Sequence, residues 1–259
     1  MISVTRVFHH YGLRPTLDNI SFAVEAGRTL AIVGPNGSGK TTLMELLAGL
    51  ASPAEGQVTV NGIERRSTVD NELAIRRQTF FLPASSWFPR NITGRQMLMA
   101  TGECWQISVR RCFEHIERLL TVFQLGDIAD SDVTGYSTGQ RKKLSLCSAL
   151  ISQCPILLLD EPFSGGLDPA GITAMKQILQ HLTSQEDRTV VLTSPVPELV
   201  EEVADEVLIL QSGEIVEHAP VSELKKKVGA ASLDEALRQL IFPETQDELR
   251  HYFEQEMRS

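Results

Sequence analysis

Eight consecutive residues, Gly34-Pro35-Asn36-Gly37-Ser38-Gly39-Lys40-Thr41, match the pattern G-x-x-x-x-G-K-[ST] and have the composition of a phosphate cradle. Glycines let backbone N–H groups turn toward phosphate oxygens, and a following helix adds partial positive charge at its N-terminus. Lys40 would reach the β and γ phosphates, and the Thr41 hydroxyl could ligate Mg2+. The octet follows the apolar run Thr29 to Val33 and precedes Leu43, Leu46, Leu47 and Leu50 at helical spacing, with Gly49 and Pro53 marking the helix end. Strand, loop and helix in that order separate a phosphate loop from a Gly-rich turn that binds nothing, so a nucleotide is the expected ligand.

About 120 residues further on, Ile156-Leu157-Leu158-Leu159-Asp160-Glu161-Pro162 is an apolar strand that ends in two carboxylates. Asp160 at the end of a buried strand can hold Mg2+ directly or through water, and Glu161 can orient and polarise an attacking water. Alone, such a strand end reads equally well as the start of a solvated loop. Paired with the phosphate loop, it reads as a site.

Tyr136-Ser137-Thr138-Gly139-Gln140 stands where a loop enters a helix carrying Leu144, Cys147 and Ile151, 20 residues before Asp160. With this third motif in place, the chain resembles ATP-binding cassette ATPases over about residues 1 to 220. The resemblance implies a P-loop NTPase (RecA-like) α/β core with an antiparallel β subdomain and an inserted helical signature subdomain at about 84–150. It also implies ATP with Mg2+, and two cassettes paired head to tail around two ATP molecules. Gly34, Pro35, Asn36, Gly37, Ser38, Gly39, Lys40, Thr41 and Thr42 are then nucleotide-binding residues, Thr41 and Asp160 metal-binding, and Glu161 catalytic. Ser137, Gly139 and Gln140 would present a hydroxyl and helix N-terminal amides to the nucleotide of the second cassette. Ser137 or Thr138 would in any case cap the following helix, a role compatible with nucleotide contact. Tyr11, 23 residues upstream of Gly34, is similar to the family's adenine-stacking aromatic; its other reading is a half-buried Tyr at a strand end.

Four departures stand out. Thr138 replaces the usual first Gly of the signature. Pro195 follows Thr193-Ser194 where the family's switch His belongs, and a Pro offers neither a side-chain donor nor a backbone N–H. Ala84 follows Leu82-Pro83 where Gln or Glu belongs. The run Asp160 to Asp168 holds one extra Gly at Gly165-Gly166. Loss of one transition-state contact typically costs about 10² to 10³ in rate. The expected enzyme is therefore an ATPase that retains ATP-driven dimerisation while hydrolysing slowly, or that depends on a partner cassette with an intact switch residue.

The elements that must position these groups are legible in outline. Short strands are expected at Ser3 to Val7, Ile20 to Val24, Gln57 to Val60 and Thr79 to Leu82, and helices in the stretch 84–150. Continuous apolar runs at 156–159, 190–192 and 207–210 suit buried parallel strands, with helices around 170–184 and 196–204 between them. A short extension, 221–259, carries a helix-like Leu233 to Leu240.

The chain has 259 residues, 42% of them hydrophobic and 22% charged, within the range of ordinary globular proteins. Its net charge of −9 disfavours nucleic acid as a partner. No apolar run approaches the roughly 18 to 20 residues of a membrane span, and the four cysteines read as free thiols. The resemblance therefore places the chain in the cytoplasm, peripheral at the inner face of the cell membrane, bound to an integral membrane permease subunit. It would work as a homodimer or as a heterodimer with another ATPase chain of the family. The motifs look most like separate-chain exporter subunits, with Trp87 and Phe88 as candidate permease contacts or helical-core residues. The rival expectation is a nucleotide-gated dimerising switch with little hydrolysis and no transport role.

Overall fold

A computed structural model describes residues 1–12, 15–186 and 188–241. In chain order the elements are β1 (Ile2–His10), β2 (Pro15–Val24), β3 (Thr29–Val33), α1 (Lys40–Ala48), β4 (Glu55–Val60), β5 (Ile63–Glu64), α2 (Val69–Arg76) and β6 (Thr79–Leu82). Next come α3 (Gly94–Cys104), α4 (Val109–Val122), α5 (Thr138–Ile151), β7 (Ile156–Leu159), α6 (Pro169–Glu186) and β8 (Thr189–Thr193). The last are α7 (Pro197–Val203), β9 (Glu206–Gln211), β10 (Glu214–Pro220), α8 (Val221–Val228) and α9 (Leu233–Ile241).

The continuous apolar runs become the middle of a six-stranded sheet of order β10-β9-β3-β8-β7-β6, in which every neighbouring pair except β10 with β9 is parallel. Because side chains alternate across a strand, each run supplies two cores. Ala31, Val33, Leu157, Leu159, Val190, Leu192, Val207 and Ile209 face one core, shared with the helical layer. Leu30, Ile32, Ile156, Leu158, Val191, Leu208 and Leu210 face the other, shared with α1 and the antiparallel sheet β2-β1-β4-β5. Each fully buried aliphatic side chain of this kind contributes roughly 1.5–3 kcal/mol. That double burial is why the polar residues of β3, β8 and β9 stand only at strand ends, as Thr29, Thr189, Thr193, Glu206 and Gln211 do.

The helical layer is α3, α4 and α5, packed on one another through Leu98, Cys112, Ile116, Leu120, Leu144 and Cys147. A capping box at Thr93 and Gln96 starts α3. All four cysteines are free, as expected, and only Cys104 is exposed.

The structure corrects the sequence reading at one helix end. Leu50 does not extend the apolar stripe of α1, because Gly49 closes the helix in a left-handed conformation and Leu50 is exposed. Strand β10 and helices α2 and α8 add to the expected elements. They lack a strong pattern: Ile75 is the only buried residue of α2, and β10 is an edge strand of mixed exposure held by β9. Of the extension 221–259, residues 242–259 lie outside the described residues.

Candidate functional site

The loop between β3 and α1 is shaped by what lies beside it. A Cβ at Gly34, φ +154°, would sit 1.9 Å from the carbonyl oxygen of Leu210 in β9, so the backbone can lie this close only without a side chain. The turn between β9 and β10 grips the same loop: the Gly213 N–H donates to Ser38 O at 3.2 Å, and Gly213 O accepts from Asp18 N–H at 2.8 Å. Asn36 and Gly37 are exposed, whereas Ser38 is buried and its Oγ has no hydrogen-bond partner among the described residues.

Lys40 is the first residue of α1, and its Nζ folds back to donate to Gly34 O and Pro35 O, each at 2.9 Å. Burial lowers the pKa of this ammonium, while Glu161 and Asp160 pull it the other way. Gly39, at the N-cap, provides no side-chain cap, so the first-turn N–H groups of α1 are free to meet an anion. Thr41 is exposed in that turn, and Thr42 is buried behind it.

Tyr11 is 67% exposed, so the half-buried reading does not hold. Its hydroxyl donates to Glu45 Oε2 on α1 at 3.0 Å, and its ring meets His9 edge-on at 4.7 Å between centroids. The free ring face therefore lies beside the helix that opens with Lys40.

Parallel pairing brings the carboxylates to the same sheet edge. β3 pairs with β8 and β8 with β7, so Gly34, Thr193 and Asp160 all fall at the carboxyl ends of adjacent strands. Asp160 is 1% exposed. Its Oδ1 accepts from the Thr193 hydroxyl at 2.6 Å, and its Oδ2 is buried without a hydrogen-bond partner among the described residues. A buried carboxylate oxygen left open next to a phosphate loop fits a hard cation such as Mg2+, directly or through water. Glu161 follows with φ +49°, its N–H donating to Thr193 Oγ1 at 2.8 Å and its carbonyl accepting from the Ser164 hydroxyl at 2.9 Å. This turn aims Glu161 away from the strand direction.

Ser137 is the N-cap of α5: its Oγ accepts from Gln140 N–H at 3.2 Å, and Gln140 Oε1 accepts from Ser137 N–H at 2.8 Å. Both candidate ligand side chains are thus engaged in a capping box, with Ser137 and Thr138 exposed at the helix mouth. A Cβ at Gly139 would lie 2.4 Å from Gly166 O, so this Gly also lets the loop after Glu161 pack on α5. The extra residue in that loop is absorbed by Gly165 and Gly166, at φ +79° and +81°. Asp168 then caps α6, accepting from Lys143 Nζ and from Gly171 N–H, each at 2.7 Å. Lys143 first, then that backbone bond, hold its carboxyl below the usual range.

Pro195 is exposed in the connection from β8 to α7. A cavity of about 160 Å3 separates Gly34, Pro35, Ser194 and Pro195 from Leu237, Arg238 and Ile241 of α9. Ala84 lies just past β6. Trp87 is 80% exposed, while Phe88 packs against the core. The two candidate contacts therefore part company.

Sequence reasoning missed Thr193 and Gly213 as parts of the site. The signal for Thr193 is a hydroxyl at the carboxyl end of a strand whose middle, Val190 to Leu192, is apolar. Gly213 carries none.

A phosphate loop at a strand-to-helix junction beside a buried strand-end carboxylate defines a P-loop NTPase. The family profile described as ABC transporter matches residues 17–164. The daunorubicin resistance ATP-binding protein DrrA3 of Streptomyces coeruleorubidus is 31% identical over 238 residues, covering 92% of this chain and 74% of that one. The Nod factor export ATP-binding protein I of Rhizobium meliloti (strain 1021) is 31% identical over 234 residues, covering 90% and 68%. A solved ATP-binding subunit of an ABC transporter superposes with a TM-score of 0.85 at 25% identity, covering 93% of this chain and 99% of that one. The chain belongs to the ABC transporter family, as an ATP-binding subunit.

Proposed function

We propose that this subunit closes with a second cassette, its own copy or a related chain, around ATP, and that hydrolysis, slow in the absence of a switch His, drives a membrane permease of the exporter kind. The observation that carries this reading is the meeting of three groups at one sheet edge: the Lys40 loop, the open Asp160 oxygen and Glu161. Lys40 would exchange its two carbonyl partners for phosphate oxygens, and the first turn of α1 would receive the rest of the charge. Tyr11 would stack on the base. Thr41 and Asp160 would hold Mg2+, which supplies charge neutralisation on the phosphates.

Glu161 then orients a water and takes its proton as the water oxygen bonds to the γ phosphorus. The bond to the bridging oxygen breaks, and ADP and phosphate leave. Ser137 and the amides at the mouth of α5 would serve the nucleotide of the second cassette, at the cost of opening the Ser137–Gln140 capping box. Export is supported by the relatives, one a daunorubicin resistance ATP-binding protein and one a Nod factor export ATP-binding protein. No helix among the described residues is long and apolar enough to cross a membrane; in this reading the subunit is cytoplasmic and sits at the inner face of the cell membrane, held there by a separate integral permease chain.

The test is assembly. With MgATP, the Glu161→Gln chain should run as a dimer in light scattering and copurify with a polytopic membrane protein when expressed with its neighbouring reading frames. A stable ATP-bound dimer that never associates with a membrane protein would favour a soluble nucleotide switch instead.

A further inference from the structure

His9 lies in β1 and Tyr11 just past it, two residues on, the spacing that returns a side chain to the same side of an extended chain. Their rings meet edge-on, 4.7 Å between centroids. The imidazole is the buried member of the pair, and its Nδ1 bonds Ser52 O, in the loop after α1, at 2.9 Å. A carbonyl oxygen only accepts, so Nδ1 carries the proton, while Nε2 is buried without a hydrogen-bond partner among the described residues. The one polar anchor of His9 is thus Ser52, and Ser52 is itself held. Arg66 donates to its hydroxyl and, through Nη2, to Gly49 O at the end of α1 at 2.8 Å. On its other side Tyr11 donates to Glu45 Oε2 at 3.0 Å, and Glu45 lies within α1.

An aromatic side chain as exposed as Tyr11 ordinarily samples several rotamers, and freezing it when a ligand arrives costs affinity. Here the hydroxyl is tied to the body of α1, and the ring edge, through His9, to the loop that closes α1. Lys40 is the first residue of that same helix. The base end and the phosphate end of the site are therefore referenced to one rigid element.

We infer that His9 and Glu45 are positioning residues for the nucleoside: they lock the Tyr11 ring before the nucleotide arrives and so raise the share of affinity that comes from the base. The inference rests on the reading of Tyr11 as the residue that stacks on the base. In it neither His9 nor Glu45 touches the nucleotide. Both should matter for a ligand that has a base and not for one that has phosphates alone.

The experiment measures Kd by calorimetry on the full chain for two probes: MgADP, which carries the base without turnover, and magnesium pyrophosphate, which has no base. In the control, Tyr11→Ala should raise the Kd for MgADP by about 5- to 150-fold, the range of base–aromatic stacking. His9→Ala should raise it by about two- to tenfold, the worth of an edge-on ring pair, and Glu45→Ala by a similar factor for one hydrogen bond. Glu45→Gln, which keeps an acceptor oxygen, should bind MgADP as wild type does. The Kd for pyrophosphate should stay within about twofold in all three His9 and Glu45 variants, since the loop at Lys40 is untouched. In a Tyr11→Ala background, His9→Ala and Glu45→Ala should have no further effect on MgADP, because the ring they hold is gone.

Wild-type affinity for MgADP in His9→Ala and Glu45→Ala overturns the inference. So does a loss for pyrophosphate in step with the loss for MgADP, which marks damage to the fold around α1 rather than a misplaced ring. If Tyr11→Ala binds MgADP as tightly as wild type, the stacking reading itself fails and the inference with it; a weakened Tyr11→Ala beside unaffected His9 and Glu45 variants sinks the inference alone.

Discussion

The Thr193 hydroxyl ties Asp160 to its successor: it donates to Asp160 Oδ1 at 2.6 Å and accepts the Glu161 N–H at 2.8 Å. One side chain from β8 thereby sets both the orientation of the carboxylate proposed to hold Mg2+ and the turn that presents the proposed base. Replacing it with Val keeps the shape and strands a buried N–H and a buried carboxylate oxygen. Thr193→Val should cost about 1–3 kcal/mol in denaturant unfolding and lower turnover more than nucleotide affinity. Equal unfolding midpoints for the two proteins would contradict this account.

In the proposed binding mode Lys40 is the charge that meets the nucleotide. Removing it in Lys40→Met deletes charge-assisted bonds worth about 1.5–3 kcal/mol, so the Kd for MgATP should rise by roughly ten- to 150-fold in calorimetry. Heats of binding identical to wild type would mean that the loop does not hold phosphate.

The contact between Gly34 and Leu210 makes the loop intolerant of any side chain. Gly34→Ala would force a Cβ into the Leu210 carbonyl, and moving the backbone away would disturb the hydrogen bonds that seat the loop. A loss of about 1–3 kcal/mol from backbone strain alone is expected, along with loss of nucleotide binding. Chemical denaturation and calorimetry on the same variant measure the two effects.

Pro195 is exposed at the end of β8, next to the cavity that borders the phosphate loop. A Pro195→His variant gains a ring donor in the position where Pro has none. If that missing donor limits hydrolysis, steady-state phosphate release should rise by about tenfold or more. A rate that stays at the wild-type level would remove Pro195 as the cause of slow turnover.

Glu201 on α7 accepts from the Leu233 N–H at 2.8 Å and from Lys225 Nζ at 2.5 Å, joining α9 and α8 to the core. The Leu233 bond first, and Lys225 after it, hold its carboxyl below the ordinary Glu value of 4.5. A depressed carboxylate stabilises the fold above its unfolded pKa, and that contribution is lost as pH falls through the folded value. Protection factors of the amides of 221–241, taken against the intrinsic exchange rate at each pH, should therefore be lower below about pH 4.5 than at neutral pH, and Glu201→Gln should show the lowered protection already at pH 7. Exchange in Glu201→Gln that matches wild type at pH 7 would rule out this role.

The parts of the fold that were legible in sequence are those where burial on both faces left no choice of residue. Thr29–Val33, Thr79–Leu82 and Ile156–Leu159 are strands at the expected residues because each alternates between two apolar cores. Strand β10 and helix α2 were not legible, since their positions are settled by a neighbouring strand or by a single buried residue, Ile75. In the site, Lys40 and Asp160 announced themselves through motif and context. Thr193 did not, because its significance arises only when parallel pairing of β7 with β8 carries it beside Asp160. Gln140 shows the converse: its motif suggests a ligand contact, yet in the single chain its side chain is spent on Ser137.

The Leu210 carbonyl and the Gly213 turn that mould residues 34–38 are synthesised long after the loop itself. A ribosome-bound fragment ending before Glu206 would carry the whole glycine-rich octet and still lack the surface against which it takes shape. Nascent chains should consequently stay blind to nucleotide until Gly213 has emerged, which keeps half-made subunits from engaging finished ones.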